Sequence, residues 1–318
     1  MDNLSERIHF ASAPVSWGVQ DDPGPAWEQQ PYEQVLQEIV SSGYTGAELG
    51  PYGYFPTDPA VLKKTLERFG LTMLSSFVPV PITDPLQVEA VIEQVRKVGA
   101  LLAALGAKIL VLADRQTPER RKIAGRVPVD GSKSLSAEQW KLVGTVIRQV
   151  EHAAADFGLR VVFHPHVATF VETPMEVEAL FEALAGTQVG LCLDTGHCVY
   201  GGGDPVEEAQ KYRSALHYVH IKDIDPRVLG EARRKKLNFE QAIGAGVFSQ
   251  IGSGCIDFES FFRHLADSRY SGWAIVEQDV IYGKTAVPPV ENMRASLSYL
   301  KTVMSKLESA NLRAFASD

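Results

Sequence analysis

The segment LRVVFHPHVATFVETPMEVEALFEALAGTQVGLCLD (residues 159–194) contains one complete strand–helix–strand unit. Its two ends, 159–166 and 189–194, are short apolar runs rich in β-branched residues, which is typical of buried parallel strands. Between them Thr173 precedes Pro174, and a capping side chain just before Pro predicts the first turn of a helix over 174–184. Two parallel strands joined by a helix are the repeating unit of α/β folds.

The same unit recurs along the whole chain. Apolar runs predict strands at 8–15, 44–49, 71–78, 108–113, 159–166, 189–194, 217–222 and 273–278. Helical spacing of apolar residues predicts helices at 31–42, 59–69, 85–105, 138–158, 174–184, 204–214, 257–268 and 289–308. Eight such units predict an α/β fold of the closed (β/α)8 TIM barrel type, with residues 1–318 as a single domain.

Two stretches interrupt this rhythm. A polar insertion at 115–137 follows the fourth strand, and a long loop at 226–256 follows the seventh. Both begin at the carboxyl end of a strand, where barrel loops build active sites, so we expect them to wall or cover a substrate. Residues 308–318 are expected to form a frayed tail.

Composition narrows the class of partner. The chain has 318 residues, 45% of them hydrophobic, and a formal net charge of -8, which argues against binding to a nucleic-acid backbone. The opening MDNLSERIHF lacks the layout of a signal peptide, and no apolar run reaches membrane-spanning length. Three cysteines without a CxxC pair suit a reducing cytoplasm. We therefore expect a cytoplasmic protein with a small-molecule partner; association into a homo-oligomer is left open by analogy with other barrels.

Polar residues end each of the last four predicted strands. Because side chains two apart share a face of a strand, His164, Asp194, His220 and Glu277 converge at one rim if those faces look into the barrel. Two imidazoles and two carboxylates at one place predict a divalent cation, since buried charges need pairing or a metal. Separate hydrogen-bonded groups at strand ends are the alternative. Mixed imidazole and carboxylate ligands favour Mn2+, Co2+, Fe2+ or Zn2+ over Ca2+.

Other residues are candidates for contact with substrate. Glu172 follows the fifth strand and could act as a base or cap the next helix, and Glu48 ends the second strand and could transfer a proton or form a salt bridge. Arg115 and Lys222 are the natural cations for a substrate oxygen, and Asp223 could orient His220.

Two aromatic side chains end the first and third strands. Trp17 and Phe77 could stack against the apolar face of a sugar ring or simply join the core.

Several segments carry a family resemblance. LCLDTGH (191–197), YVHIKDID (218–225), IGSGCIDF (251–258) and AIVEQD (274–279) resemble the xylose-isomerase-like barrel superfamily of sugar isomerases, epimerases and related lyases. Within that group, FHPHVATFVET (163–173), LDTGHCVYGGGDP (193–205), VHIKDIDP (219–226) and GVFSQIGSG (246–254) are similar to the myo-inosose-2 dehydratases. The similarity spans nearly the whole chain and is densest over 160–280.

The resemblance implies particular site residues. It places metal ligands at Asp194, His220 and Glu277, and a fourth on the fifth strand, where many relatives have Glu and this chain has His164. Either His164 or Glu172 then supplies the fourth ligand. The resemblance also implies that His197 contacts the substrate near the metal.

The implied reaction is a metal-dependent dehydration of a cyclic keto-polyol such as 2-keto-myo-inositol, by way of a metal-bound enediolate. Glu172, Glu48 or His166 would be the base, and His197 or Lys222 would assist the leaving hydroxyl. Mn2+ or Co2+ is the favoured metal, with Zn2+, Fe2+ and Mg2+ as alternatives. A sugar isomerase, epimerase or keto-glycoside lyase on the same barrel is the first alternative, and a barrel that binds a sugar without turnover is the second.

Overall fold

The computed structural model describes residues 4–20 and 29–315, with side chains described as far as residue 310. The parallel sheet contains β1 (Ile8–Ser12), β2 (Gly46–Ala47), β3 (Thr72–Met73), β4 (Phe77–Val80), β5 (Ile109–Asp114), β6 (Arg160–Phe163), β7 (Gly190–Asp194), β8 (Leu216–Ile221) and β11 (Gly272–Val276). These strands are hydrogen-bonded in the order β3-β2-β1-β11-β8-β7-β6-β5-β4. The remaining two strands, β9 (Asp223–Ile224) and β10 (Phe248–Ser249), form a separate antiparallel pair.

The third barrel strand is divided into β3 and β4, which lie at the two ends of this strand order and close the barrel. Backbone hydrogen bonds cover the gap between them, since the Leu74 N–H donates to Ala47 O (3.1 Å) and the Leu49 N–H donates to Ser75 O (2.9 Å). On the other side the Val111 N–H donates to Ser76 O (3.0 Å). The nine segments therefore make eight barrel strands, which confirms the predicted (β/α)8 fold.

Helices follow the strands as predicted. The main ones are α2 (Tyr32–Ser41), α3 (Pro59–Phe69), α4 (Val88–Ala104), α6 (Ala137–Ala155), α7 (Pro174–Ala183), α9 (Pro205–Lys211), α12 (Phe258–Asp267) and α13 (Pro289–Phe315). Shorter pieces are α1 (Leu4–Arg7), α5 (Pro118–Ile123), α8 (Thr195–Tyr200), α10 (Pro226–Lys235), α11 (Phe239–Gly244) and two 3-10 turns, Pro14–Trp17 and Pro85–Gln87. At the start of α7 the Thr173 hydroxyl accepts the Glu176 N–H, as the capping signal predicted.

The barrel interior is filled below the carboxyl ends of the strands. One buried cluster collects side chains from successive strands: Ala11, Ala13, Leu74, Val111, Val162, Cys192, Tyr218 and Ile275. A larger cluster lies between the sheet and the surrounding helices. Above this packed interior, the carboxyl ends of the strands are free to build a site, as is usual for this fold.

The two interruptions of the repeat are structured. The insertion at 115–137 contains α5, and the segment at 226–256 contains α10, α11 and β10, which pairs with β9. Helix α13 continues to Phe315, so helical backbone occupies 308–315, where the sequence predicted a frayed tail; residues 316–318 lie outside the described residues. Within the part of the chain that the structure describes, no helix has the length and apolar character needed to cross a membrane.

Candidate metal centre and active site

A cavity of about 660 Å³ opens at the carboxyl ends of the strands. That volume lies within the range of small-molecule sites. Its polar lining includes Glu48, Asp114, His164, His166, His220, Lys222, Glu277 and Asp279. Polar residues at most of the strand ends predicted from the sequence therefore line one cavity; Asp194 is not in its lining.

The four predicted ligands lie side by side and are at most 4% exposed. His164 Nε2 is 3.5 Å from Asp194 Oδ2, and His220 Nδ1 is 3.1 Å from Glu277 Oε2 and 3.9 Å from Asp194 Oδ2. Strand register explains the meeting, because Asp194 is directly paired with His220 across β7 and β8. Glu277 follows the end of β11, where its N–H donates to Ile221 O of β8.

Lys222 lies among the same carboxylates. Its Nζ is 2.9 Å from Asp194 Oδ2, 2.6 Å from Glu277 Oε2 and 3.2 Å from Asp279 Oδ1. Burial opposes the charge on this amine, but Asp194, Asp279 and Glu277 raise its pKa well above the ordinary value. Lys222 therefore stays an ammonium and neutralises part of the negative charge.

The donor set fits a divalent metal. Asp194, Glu277 and Asp279 contact the Lys222 ammonium, and Glu48 lies beside His220, so these four carboxylates and one ammonium carry a formal charge of about -3 when the imidazoles are neutral, as they would be as metal ligands. Among the described residues, four groups of three have potential ligand atoms within 4.8 Å of one another. They are His164, Cys192 and His220; His164, Asp194 and His197; His166, His197 and Asp279; and Glu48, His220 and Glu277.

Individual ring nitrogens support the same fit. The buried Nδ1 of His164 has no hydrogen-bond partner among the described residues. Burial opposes protonation of His220, but the adjacent Cys192, Glu277 and Glu48 raise its pKa well above the ordinary value. A metal at His220 would therefore displace a proton.

Glu48 reaches this cluster from the second barrel strand. Its Oε1 accepts a hydrogen bond from Ser75 Oγ (2.6 Å) and lies 3.2 Å from His220 Nε2. Ser75 Oγ is also 2.8 Å from the Tyr218 hydroxyl. Glu48 therefore sits at the cavity wall and contacts a predicted ligand, which combines the two interpretations offered by the sequence.

Glu172 is the predicted site residue that the structure does not bring to the cluster. Its carboxylate accepts the N–H groups of Gly125 (2.6 Å) and Ala168 (2.8 Å), and Arg120 lies 3.9 Å away. Burial raises its pKa to about 7. The loop after β6 turns back through Ala168, which has a φ of 67°, so Glu172 holds backbone donors instead of facing substrate as base or fourth ligand.

His166 and His197 pack against each other beside the predicted ligands. Their ring centroids are 3.8 Å apart, and His197 Nε2 is 3.7 Å from Asp279 Oδ2. Burial lowers the pKa of His166 to about 3 and that of His197 well below its usual value, so both rings are neutral. Asp279 received no role from the sequence, although its position two residues after Glu277 was the available signal.

Three further predictions concern the surroundings. Phe77 lines the cavity, edge-on to His164 at 5.5 Å between ring centroids, whereas Trp17 is fully buried and donates to Glu38 Oε2 (2.7 Å). Arg115 also lines the cavity.

The prediction that Asp223 orients His220 is wrong. The Asp223 carboxylate accepts the N–H groups of Gly252 and Gly254 (both 2.9 Å) and of Ile256 (3.2 Å). It therefore fixes the turn that follows β10, because several backbone donors there need one acceptor.

Comparison with known proteins agrees with this architecture. The family model described as xylose isomerase-like TIM barrel matches residues 36–303. An inosose dehydratase of Geobacillus kaustophilus (strain HTA426) is 33% identical over 288 residues, covering 88% of this chain and 90% of that protein. The rhizopine catabolism protein MocC of Rhizobium meliloti is 35% identical over 277 residues, covering 87% of this chain and 83% of that protein.

Solved structures show the same fold at lower identity. A D-allulose 3-epimerase from Methylomonas sp., crystallised with D-allulose, has a TM-score of 0.68 and 18% identity, covering 94% of this chain and 98% of that one. Identity this low supports the fold alone.

Proposed function

Because the chain belongs to the xylose isomerase-like TIM barrel family, we propose that it is a divalent-metal-dependent dehydratase acting on a cyclic keto-polyol such as 2-keto-myo-inositol. The observation that carries the proposal is the convergence of two imidazoles and two carboxylates, three of which (His164, His220 and Glu277) line a 660 Å³ cavity. The relatives named inosose dehydratase, at about a third identity over most of the chain, support dehydration as the outcome.

His164, Asp194, His220 and Glu277 would hold the metal. When bound there, a divalent cation would polarise the substrate ketone and make the adjacent C–H more acidic. Mn2+ or Co2+ suits this mixed donor set, which contains no thiolate. The cavity lining would exclude bulk water around the polyol.

Glu48 is the base that we propose. Among the carboxylates beside the predicted ligands, Glu277 and Asp279 are paired with Lys222, whereas the described contacts of Glu48 are with Ser75 and His220 through Oε1. Its carboxylate would take the proton from the carbon next to the ketone. Lys222 keeps its proton, so we assign it to stabilising negative charge and not to proton transfer.

The leaving hydroxyl would face His166, which lines the cavity and packs against His197. Elimination breaks one C–H bond and the neighbouring C–O bond, and the proton that Glu48 takes from carbon would be passed to the hydroxyl, which leaves as water. An isomerase or epimerase would instead return the proton to carbon or to the ketone oxygen. The two reactions share their first step and differ in where the second proton goes.

Product masses test this proposal. Purified protein with Mn2+ or Co2+ is incubated with a panel of keto-inositols and ketohexoses, and products are identified by mass spectrometry. Loss of one water from a keto-inositol supports dehydration, and a product of unchanged mass identifies an isomerase or epimerase. No product with any metal, together with sugar binding that survives chelation, would indicate a binding protein.

The proposed base has a separate test. Glu48→Gln should abolish turnover while metal content stays at the wild-type level. If Glu48 only orients His220, the variant should lose metal and retain turnover once excess metal is supplied.

A further inference from the structure

We propose that a second divalent cation binds to His166, His197 and Asp279, in a site that is separate from the centre at His164, Asp194, His220 and Glu277. We call the group of His166, His197 and Asp279 the second site. It goes beyond the proposed dehydratase function, because that function requires only the first centre.

The distances are those of a site that can close on a cation. Potential ligand atoms of all three residues lie within 4.8 Å of one another, and His197 Nε2 is 3.7 Å from Asp279 Oδ2. Ligand atoms at about 2.1 Å from a tetrahedral cation are about 3.4 Å from each other. The three groups would therefore move by about an ångström or less to reach bonding distance.

The ring nitrogens are in the chemical state that a metal requires. His166 Nδ1 lies 2.8 Å from Val167 O, and donation of its N–H to that carbonyl leaves the lone pair on Nε2. His197 is 2% exposed, and neither of its ring nitrogens has a hydrogen-bond partner among the described residues. Buried polar atoms are rarely left without a partner, so these orphans indicate a missing ligand.

Asp279 supplies the charge. Its Oδ1 is 3.2 Å from Lys222 Nζ, an ammonium that Asp194 and Glu277 already share, and no other hydrogen-bond partner of Oδ1 is found among the described residues. Two neutral imidazoles and a carboxylate suit Zn2+ or Co2+.

The two sites touch through Asp194. Its Oδ1 accepts the His197 N–H (2.8 Å), while its Oδ2 faces His164 and Lys222. His166 is half-buried and lines the cavity, which gives a cation a route of entry. With a cation present, His166 and His197 would act as ligands facing the leaving hydroxyl, and Glu48 would remain the proton carrier.

Metal stoichiometry tests the second site without relying on activity. Protein stripped with a chelator is dialysed against Co2+, and bound cobalt per chain is measured by mass spectrometry together with its visible absorption. We expect two ions in the wild type and one in Asp279→Asn, His166→Ala or Glu277→Gln. The control His152→Ala, at an exposed histidine of α6, should keep two. Circular dichroism verifies that each variant is folded.

The outcomes separate this inference from the proposed function. A wild type with one ion that is lost in Glu277→Gln overturns the second site and leaves the first centre standing. One ion that survives Glu277→Gln but is lost in Asp279→Asn supports the second site and refutes the first centre. Two ions retained in both Asp279→Asn and His166→Ala overturn the second site.

Discussion

The buried pair Arg120–Glu176 should be the costliest ion pair to break. Arg120 lies in α5 of the insertion and is fully buried, with Nη1 and Nη2 each donating to one Glu176 oxygen at 2.8 Å. Arg120 Nη1 also donates to Lys133 O (3.2 Å). Arg120→Met removes the charge but keeps much of the side-chain volume, and it leaves the Glu176 carboxylate buried without its cation.

The structure sets the size of the loss. Removing one partner of a buried pair costs about 3–5 kcal/mol. Glu176 would keep three donors, Ser134 Oγ (3.1 Å) and the N–H groups of Glu172 (3.1 Å) and Thr173 (3.0 Å), which places the cost near the lower end. We expect the free energy of unfolding to fall by about 3 kcal/mol, with a melting temperature lower by about 5–10 °C.

Urea unfolding followed by circular dichroism measures this loss. Wild type, Arg120→Met, Glu176→Gln and the double variant form a double-mutant cycle, in which the double variant should cost less than the two single changes together. Arg263→Met is the matched control, because the Arg263–Glu259 pair is about half exposed and should contribute less than about 1 kcal/mol. A loss below about 1 kcal/mol in Arg120→Met, or a coupling free energy near zero, would refute the reasoning.

Three further predictions concern the pH dependence of stability, the space for a Cβ atom at two glycines, and metal binding. Burial raises the pKa of Glu172 from 4.5 to about 7, so the contribution of its protonated form to stability is present below about pH 4.5 and is lost as pH rises to about 7. Between pH 5 and 8 the free energy of unfolding of Glu172→Gln should therefore rise by up to about 3 kcal/mol relative to that of the wild type. A difference that does not change with pH would contradict this. A Cβ on Gly254 would lie 2.2 Å from Asp223 Oδ1, so Gly254→Ala should lower the free energy of unfolding by about 1–3 kcal/mol. In the control Gly230→Ala, in α10, the added Cβ meets nothing within 4 Å, so the free energy of unfolding should stay unchanged or rise. Asp194→Asn should lose bound metal and turnover together, and full metal occupancy in this variant would count against the ligand assignment.

The alternation of apolar runs and helical segments was sufficient to predict the barrel, but not the break in its third strand. The run 71–78 (LTMLSSFV) reads as one continuous strand. In the structure Ser75 is fully buried, and its hydroxyl bonds to Glu48 and approaches Tyr218, so a polar contact across the barrel decides the local geometry. Periodicity along the chain carries no information about such a cross-strand partner.

Within the site, the strand residues were predictable and the loop residues were not. His164, Asp194, His220 and Glu277 meet because side chains at fixed positions in neighbouring parallel strands must share a face. Glu172 lies in a loop, where no such rule applies, and the N–H groups of Gly125 and Ala168 determine its direction. The first of these donors is 47 residues away along the chain, beyond the reach of any local pattern.

Charge balance links the two proposed cations and predicts the order in which they bind. With His220 protonated, the four carboxylates and the Lys222 ammonium leave a formal charge of about -2; a first divalent cation, which displaces the His220 proton, changes this to about -1, and a second changes it to about +1. The first cation therefore meets the larger attraction and should bind more tightly than the second, so titration with Co2+ should show two unequal steps. The positive state would favour a substrate that has lost a proton, because its negative charge is then met inside the cavity. Asp279→Asn removes one carboxylate from this balance and should abolish the weaker step alone; loss of the tighter step instead would show that the charges are shared in a different way.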